Sequence, residues 1–202
     1  MAQTVDLLRD IPIDKEGVDR EMLERVIFLA VEIAREGREG RKVGTMFVVG
    51  DVEATLKRSK PLILDPLGPH PNREKAITDP GLWETVKELA QLDGAFIVSS
   101  DGVVLSACRY ISASSEDIDL PLGLGSRHIA AASITKETGA IAVVVSQAAV
   151  VRVFARGELI AEIVPERLLP RGHCVHVEGP YSLHSDEHMT VVCRVEREEE
   201  VL

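Results

Sequence analysis

Residues 92–112, LDGAFIVSSDGVVLSACRYIS, decide the type of fold. Two apolar runs, residues 96–98 and 103–110, flank the polar turn 99–102, which ends in Asp-Gly. Asp-Gly between two apolar runs is a strong signal for a β-hairpin. We therefore predict two neighbouring antiparallel strands in this stretch.

The segments on either side of this hairpin predict further helices and strands. Apolar residues spaced by three and four positions predict helices, and short apolar runs predict buried strands. The predicted helices cover residues 18–38, 80–92 and 127–138, with Asp79 and Ser126 as N-caps of the last two and Gly139 ending the third; the predicted strands cover residues 45–49, 140–145, 149–154, 159–164 and 191–195. Residues 51–78 contain four prolines and predict a loop or short irregular elements. With neither an internal repeat nor a linker, the pattern predicts one domain, residues 1–202, of mixed α/β class.

Composition narrows the range of partners and compartments. The net charge of −10 argues against binding a nucleic-acid polymer, because that affinity depends on Lys and Arg displacing counterions. Local basic groups could still hold a small polyphosphate. The chain has neither a signal peptide nor an apolar run long enough to span a bilayer, and its three scattered cysteines favour a reducing compartment. We therefore expect a cytoplasmic protein with no membrane partner.

Two short segments have the chemistry of a binding site. Asp93-Gly94-Ala95 places a carboxylate before two residues with almost no side chain, so a ligand could approach the backbone closely. Residues 123–128, GLGSRH, run from a glycine-containing loop into a helix start, where backbone N–H groups favour an anion. Each has a plainer interpretation, since Asp-Gly-Ala is a common turn and Arg-His could be a solvated helix end. Cations are disfavoured by the dipole at a helix start, however, which strengthens a functional interpretation of Arg127 and His128.

Other motifs of known chemistry are absent or incomplete in this sequence. The chain contains neither a Walker A loop nor a Gly-x-Ser-x-Gly elbow. His173-Cys174-Val175-His176 suggests a zinc site, but a structural zinc site needs two tight ligand pairs and the second pair is vague. We therefore interpret these residues as ordinary polar and buried positions.

The two site segments, taken in order, resemble a known family. Residues 92–112 followed by 123–147, GLGSRHIAAASITKETGAIAVVVSQ, resemble the catalytic core of the diadenylate cyclase (DAC) domain family in its archaeal-type, single-domain version. That family is marked by Asp-Gly-Ala, then a Gly-Thr-Arg-His-Arg motif about thirty residues later, then Val-Val-Ser-Glu. Residues 37–51, GREGRKVGTMFVVGD, resemble its first strand region. The resemblance covers about residues 20–165, and residues 166–202 would be an extension that completes the fold.

The resemblance implies a fold and an activity. The fold would be a twisted mixed β-sheet flanked by α-helices. The activity would be the condensation of two ATP molecules into cyclic di-AMP and two pyrophosphates, with Mg²⁺ or Mn²⁺ as cofactor. Each subunit would hold one ATP, so catalysis would require a face-to-face homodimer or a higher homo-oligomer.

The family's functional residues can be carried over position by position. Asp93 matches the metal-binding catalytic aspartate, and Arg127 and His128 match the catalytic phosphate-binding pair. The implied nucleotide-binding residues are Leu92, Gly94, Ala95, Tyr110, Gly125, Ser126, Ser146 and Gln147.

Two positions depart from the family pattern. Ile129 stands where the family commonly has Arg, and Gln147 stands where it commonly has an acidic residue. Losing that carboxylate removes one possible metal ligand. A catalytically silent module that binds adenine nucleotide or cyclic di-AMP is therefore the alternative, and a structural protein built on a DAC-like sheet is a third interpretation.

Overall fold

The computed structural model describes residues 8–13, 17–112, 114, 118–166, 169 and 173–195. Within these residues one mixed sheet contains nine strands in the order β2-β4-β3-β1-β5-β6-β7-β9-β8. The strands are β1 (Thr45–Val49), β2 (Ser59–Pro61), β3 (Ala95–Val98), β4 (Val104–Ile111), β5 (Ile141–Val145), β6 (Val151–Ala155), β7 (Glu158–Val164), β8 (Tyr181–Ser185) and β9 (Thr190–Arg194). Only the pair β1 and β3 is parallel, and the other neighbouring strands are antiparallel.

Helices cover both faces of the sheet. They are α1 (Arg20–Glu36), α2 (Val52–Lys57), α3 (Pro80–Leu89) and α4 (Ser126–Glu137), with a short 3₁₀ turn at Asn72–Glu74. On β1, Phe47 and Val49 pack in the core formed with α1 and α3, whereas Met46 and Val48 pack in the core formed with α4. Because both faces are covered, the central strands are apolar at nearly every position rather than alternating. In the part of the chain described, no helix is long and apolar enough to cross a bilayer.

The structure confirms the mixed α/β class and corrects several local predictions. Strands 45–49 and 159–164, the hairpin and the three main helices are present. Ser126 is not the cap of α4: it is the first helical residue, and Gly125 is the N-cap. The end of that helix agrees with the prediction to within one residue, since it ends at Glu137 with Thr138 as C-cap and Gly139 directly after it.

The elements that the sequence did not predict are short or lie at the edges of the sheet. Helix α2 has six residues, β2 has three and includes a proline, and β8 is an edge strand whose residues are largely exposed. An exposed edge strand lacks the apolar run used to recognise buried strands, and a helix under two turns shows no clear periodicity.

Candidate functional site

Two cavities lie on either side of the N-terminus of α4. One has a volume of about 590 Å³, and its wall includes Asp93, Gly94 and Ala95 of the Asp-Gly-Ala segment and Tyr110 of β4. The other has a volume of about 690 Å³, and the polar side chains on its wall include His128, Ser146, Gln147 and Arg152. We call them the aspartate cavity and the histidine cavity. Ser126 and Arg127 line both, so one elongated ligand could extend from one cavity into the other.

The first turn of α4 is organised by its N-cap glycine. The Gly125 N–H donates to Nδ1 of His128 at 3.1 Å, and the Gly125 carbonyl accepts from the His128 N–H at 2.9 Å. This exchange holds the imidazole ring against the helix start. Because Nδ1 accepts this hydrogen bond, the neutral ring carries its proton on Nε2. Nε2 lies 3.3 Å from Nη1 of Arg152, which also lines the histidine cavity.

His128 is uncharged at neutral pH. The ring is buried, and burial together with the nearby Arg152 guanidinium lowers its pKa to about 4. The resemblance implied that His128 helps to neutralise phosphate charge. In this environment it offers a neutral N–H donor, and the positive charge at the helix start comes from Arg127.

Asp93 and Arg127 bring the two predicted segments together. Asp93 Oδ1 accepts a hydrogen bond from Arg127 Nη2 at 3.1 Å. The Asp93 side chain is 88% exposed and the Arg127 side chain 34%. Gly44 lies beside Arg127, since a Cβ at that position would be 3.0 Å from Arg127 Nη1 and 3.2 Å from Gln147 Cγ. Sequence reasoning missed Gly44, whose role depends on a strand that lies far from Arg127 in the chain.

The Asp93 carboxylate fits a hard divalent cation whose other ligands are mostly phosphate oxygens and water. Mg²⁺ is commonly bound by one or two carboxylates together with phosphate oxygens and water. The exposed Asp93 carboxylate supplies one such ligand. The described residues contain no group of three or more His, Cys, Asp or Glu side chains arranged to hold a metal. A cation at Asp93 would therefore need phosphate oxygens to complete its shell.

Gly94 is required by the neighbouring strand. Its φ is +108°, and a Cβ built on it would lie 2.6 Å from the carbonyl carbon of Cys108 on β4. Cys108 itself has a φ of +55° beside the irregular register of β3 and β4. A side chain at position 94 would therefore collide with backbone that cannot move independently of the sheet.

The remaining predicted residues are placed as follows. Tyr110 is half-exposed on the wall of the aspartate cavity, and Ile129 lies on the same wall. In the histidine cavity the Ser146 hydroxyl accepts from the Val150 N–H at 3.3 Å. Leu92 is 44% exposed and is absent from the described linings of both cavities.

A buried ionic cluster behind the histidine cavity was not predicted. Arg152 on β6 lies directly opposite Glu162 on β7, and Arg152 Nε donates to Glu162 Oε2 at 2.8 Å. His173 Nε2 is 2.5 Å from Glu162 Oε1, and His176 Nδ1 is 3.2 Å from Glu162 Oε2. The available signal was a charged residue in each of two otherwise apolar strands. The two histidines considered for zinc are instead partners of this carboxylate.

Comparison with known proteins identifies the family. The family model described as DAC, DisA bacterial checkpoint controller nucleotide-binding, matches residues 32–159. The chain belongs to this family. The DAC match contains Asp93, Arg127, His128 and Arg152, whereas Glu162 and the two histidines bound to it follow the matched residues.

Two curated proteins and one solved structure extend the comparison. The chain is 48% identical over 147 residues to a protein named diadenylate cyclase from Methanocaldococcus jannaschii, covering 72% of this chain and 46% of that protein. It is 40% identical over 154 residues to a diadenylate cyclase from Haloferax volcanii, covering 74% of this chain and 54% of that protein. The chain thus spans about half the length of these relatives. A structure described as a hypothetical membrane spanning protein from Bacillus cereus shares the fold, with a TM-score of 0.51 and 22% identity over 69% of this chain and 62% of that one.

Proposed function

We propose that this chain is a diadenylate cyclase that joins two ATP molecules into cyclic di-AMP and releases two pyrophosphates. The observation that carries the proposal is the pairing of Asp93, on the wall of the aspartate cavity, with Arg127, which lines both cavities. A carboxylate beside a guanidinium suits a reaction in which a hydroxyl is activated next to a phosphate. The names of the two relatives from Methanocaldococcus jannaschii and Haloferax volcanii support the same activity.

The two cavities suggest how ATP would lie. The half-exposed ring of Tyr110 offers a surface for adenine in the aspartate cavity. The triphosphate would pass Ser126 and Arg127, which line both cavities, and reach Ser146 and Gln147. Backbone N–H groups at the start of α4 favour an anion at the crossing point.

The proposed chemistry is a pair of identical transfers. The 3′-hydroxyl oxygen of one ATP attacks the α-phosphorus of the other, and the bond from that phosphorus to the bridging oxygen breaks. Pyrophosphate leaves with the electron pair. Asp93 accepts the hydroxyl proton and, being exposed, passes it to water. Arg127 stabilises the charge that develops on the phosphate, and Mg²⁺ or Mn²⁺ bound through Asp93 would neutralise further phosphate charge.

The reaction requires two copies of the chain. One copy holds one ATP, and the reacting atoms must come within about 3–3.5 Å of each other. We therefore propose a homodimer in which the aspartate cavities face each other. The second transfer then repeats the first with the roles of the two copies exchanged.

The test is product formation from ATP with Mg²⁺ and, separately, with Mn²⁺. Cyclic di-AMP is measured by chromatography and mass for the wild-type chain, for Asp93→Asn and for the control Asp79→Asn. Asp79 caps α3, and Asn caps a helix about as well as Asp, so this control should keep full activity. Wild-type product that is lost only in Asp93→Asn supports the cyclase. ATP binding without product under either metal would favour the silent binding module, and Ile129→Arg and Gln147→Glu would then be the first changes to restore activity.

A further inference from the structure

Strand β4 contains a β-bulge beside the aspartate cavity. Ile97 on β3 pairs with Ser106 on β4, whereas Ala95 pairs with Arg109. Two steps along β3 therefore correspond to three steps along β4, so β4 carries one extra residue between the two pairs. Cys108 lies inside this interval and has a φ of +55°. A bulge of this kind bends its strand and changes the direction of the side chains that follow it.

The extra residue decides which side chain of β4 joins the wall of the aspartate cavity. Successive side chains of a strand lie on opposite faces of the sheet, and Ala95 lies on the face covered by α4. Without the bulge, Cys108 would lie opposite Ala95 and Arg109 would lie on the other face. With the bulge, Arg109 pairs with Ala95 and lines the cavity together with Asp93. Its guanidinium is held by Ser59, whose hydroxyl accepts from Nε at 3.1 Å and whose carbonyl accepts from Nη2 at 3.0 Å.

One carboxylate from the loop 62–71 binds the bulge. Asp65 Oδ2 accepts from the Ser106 hydroxyl, and Asp65 Oδ1 accepts from the Ala107 N–H at 3.2 Å. Ala107 lies inside the bulge and has no direct partner on β3 in the register of the sheet. The same Oδ1 accepts from the Leu67 N–H at 3.0 Å, which closes the loop around the carboxylate. Asp65 therefore joins the loop to the part of β4 that leaves the regular ladder.

The bulge also contacts the loop backbone and the Asp-Gly-Ala segment. The Leu62 N–H donates to the Cys108 carbonyl at 2.9 Å, and Leu62 lines the aspartate cavity. On the other side, a Cβ at Gly94 would lie 2.6 Å from the Cys108 carbonyl carbon and 2.7 Å from the Arg109 nitrogen. Loop, bulge and Gly94 thus pack as one unit, and a shift of the bulge would move the cavity wall on both sides.

We propose that Asp65 is a positioning residue for the aspartate cavity. It holds the bulge of β4, and the bulge places Arg109 in the cavity wall and supports the backbone of Gly94 next to Asp93. Asp65 does not appear among the described residues that line either cavity, so its effect on a ligand passes through the bulge. The inference rests on the proposed function for the identity of that ligand, which is ATP.

The first measurement is calorimetric titration of ATP into the full chain. Asp65→Ala removes all three hydrogen bonds, and we expect it to weaken ATP binding by about 10-fold because the cavity wall is displaced. Asp65→Asn keeps an oxygen for the two backbone N–H groups and an amide that can donate to Ser106, so it should bind ATP as the wild type does.

Asp186→Ala is the matched control. Asp186 also accepts from two backbone N–H groups, those of His188 at 2.6 Å and Met189 at 2.7 Å, in the turn between β8 and β9 at the opposite edge of the sheet. Its loss should lower stability and leave the affinity for ATP unchanged, which separates a positioning role from a purely structural one.

The second measurement is amide hydrogen exchange over residues 104–111, followed by mass spectrometry, which reports on the bulge without any ligand. Exchange there should be about 10-fold faster in Asp65→Ala than in the wild type, because the bulge opens more often without its acceptor. Exchange in β6 should be unchanged, since β6 lies at a distance from the bulge in the strand order.

The inference is overturned if Asp65→Ala keeps the wild-type affinity for ATP or the wild-type exchange in β4, or if Asp65→Asn loses as much affinity as Asp65→Ala. If Asp65→Ala does not fold, Ser106→Ala removes one of the three bonds and should change both measurements less but in the same direction; wild-type values there overturn the inference.

The outcome is separate from that of the proposed function, since neither measurement requires turnover. A wild type that binds ATP but makes no cyclic di-AMP overturns the cyclase and leaves the role of Asp65 to be decided by the variants. A wild type that makes cyclic di-AMP, with unaltered ATP binding in Asp65→Ala, overturns the positioning role alone.

Discussion

Asp93 Oδ1 lies 3.1 Å from Arg127 Nη2, although the two residues are 34 positions apart in the chain. The contact joins the segment before β3 to the start of α4, and its Arg127 lines both cavities. Because the Asp93 side chain is 88% exposed, solvent screens the pair and its contribution to stability is small. In the proposed reaction, the pair would place opposite charges beside the attacking hydroxyl and the phosphate.

Arg127→Met should therefore separate activity from stability. We expect production of cyclic di-AMP to fall by about 100-fold or more, because the main cation at the α-phosphate is lost. The free energy of unfolding should change by less than about 1 kcal/mol. Arg25→Met, which breaks an exposed pair with Glu21 on α1, is the control and should retain activity. Product assays and urea unfolding measure the two effects, and a variant with wild-type turnover would exclude Arg127 from the reaction.

Gly44→Ala should disturb the same pair indirectly. The new Cβ would lie 3.0 Å from Arg127 Nη1, at the end of a flexible side chain that can move aside. We expect a decrease in turnover of about 10-fold, because Arg127 is displaced from Asp93, with less than about 1 kcal/mol lost in unfolding free energy. Gly68→Ala places a Cβ in ordinary contact with Asp65 and should alter neither measurement. Full activity in Gly44→Ala would mean that the position of Arg127 tolerates this shift.

Gly94→Ala should instead damage the fold. The new Cβ would collide with the backbone of Cys108 and would also occupy a left-handed conformation. We expect a loss of about 2–4 kcal/mol in unfolding free energy, measured in urea. Gly179→Ala is matched for positive φ, but its Cβ would meet nothing within 4 Å, so it should cost about 1 kcal/mol. Equal losses in the two variants would show that the clash with β4 is relieved.

Stability should depend on pH through His128. Burial and Arg152 lower the pKa of His128 to about 4 in the folded chain, from an ordinary value of 6.5. As the pH falls, His128 therefore binds a proton in the unfolded chain at a higher pH than in the folded chain. The folded chain loses stability as the pH falls from about 6.5 towards 4. The folded-state pKa of His128 also reflects its hydrogen bond from the Gly125 N–H and the neighbouring side chains of His176 and Glu162.

The measurement compares unfolding free energies of the wild type and His128→Asn between pH 7 and pH 4.5. The wild type should lose about 2 kcal/mol more than the variant over this range, because Asn does not titrate and the other groups are common to both. Parallel profiles would show that the His128 pKa is close to its ordinary value in the folded chain.

Local patterns were sufficient to predict most of the central fold. The Asp-Gly turn at 101–102 predicted the hairpin of β3 and β4, and Asp79 was correctly predicted as the N-cap of α3. These features depend on neighbouring residues, so a single sequence contains the necessary information. Ser126 was wrongly predicted as the cap of α4 because Ser is a common N-cap, whereas here the side chain of His128 returns to the N–H of Gly125.

Edge elements and charged positions within strands were harder to predict. Strand β8 is largely exposed and has no apolar pattern that would predict a strand. It is extended because it pairs with β9. Arg152 and Glu162 interrupt apolar strands, but only the register of β6 and β7 shows that they lie opposite each other.

The sequence by itself determined the α/β class, the positions of the main elements and the family to which the motifs around Asp93 and Arg127 point. Only the tertiary structure decided that Gly44 lies beside Arg127, that Gly94 is required by Cys108, and that Arg152 faces His128 and His176. The physical reason is that hairpin turns, caps and apolar periodicity act over a few residues. The contacts of Gly44, Gly94 and Arg152 form only when strands and helices that are distant in the chain pack together, at a register set by the whole sheet.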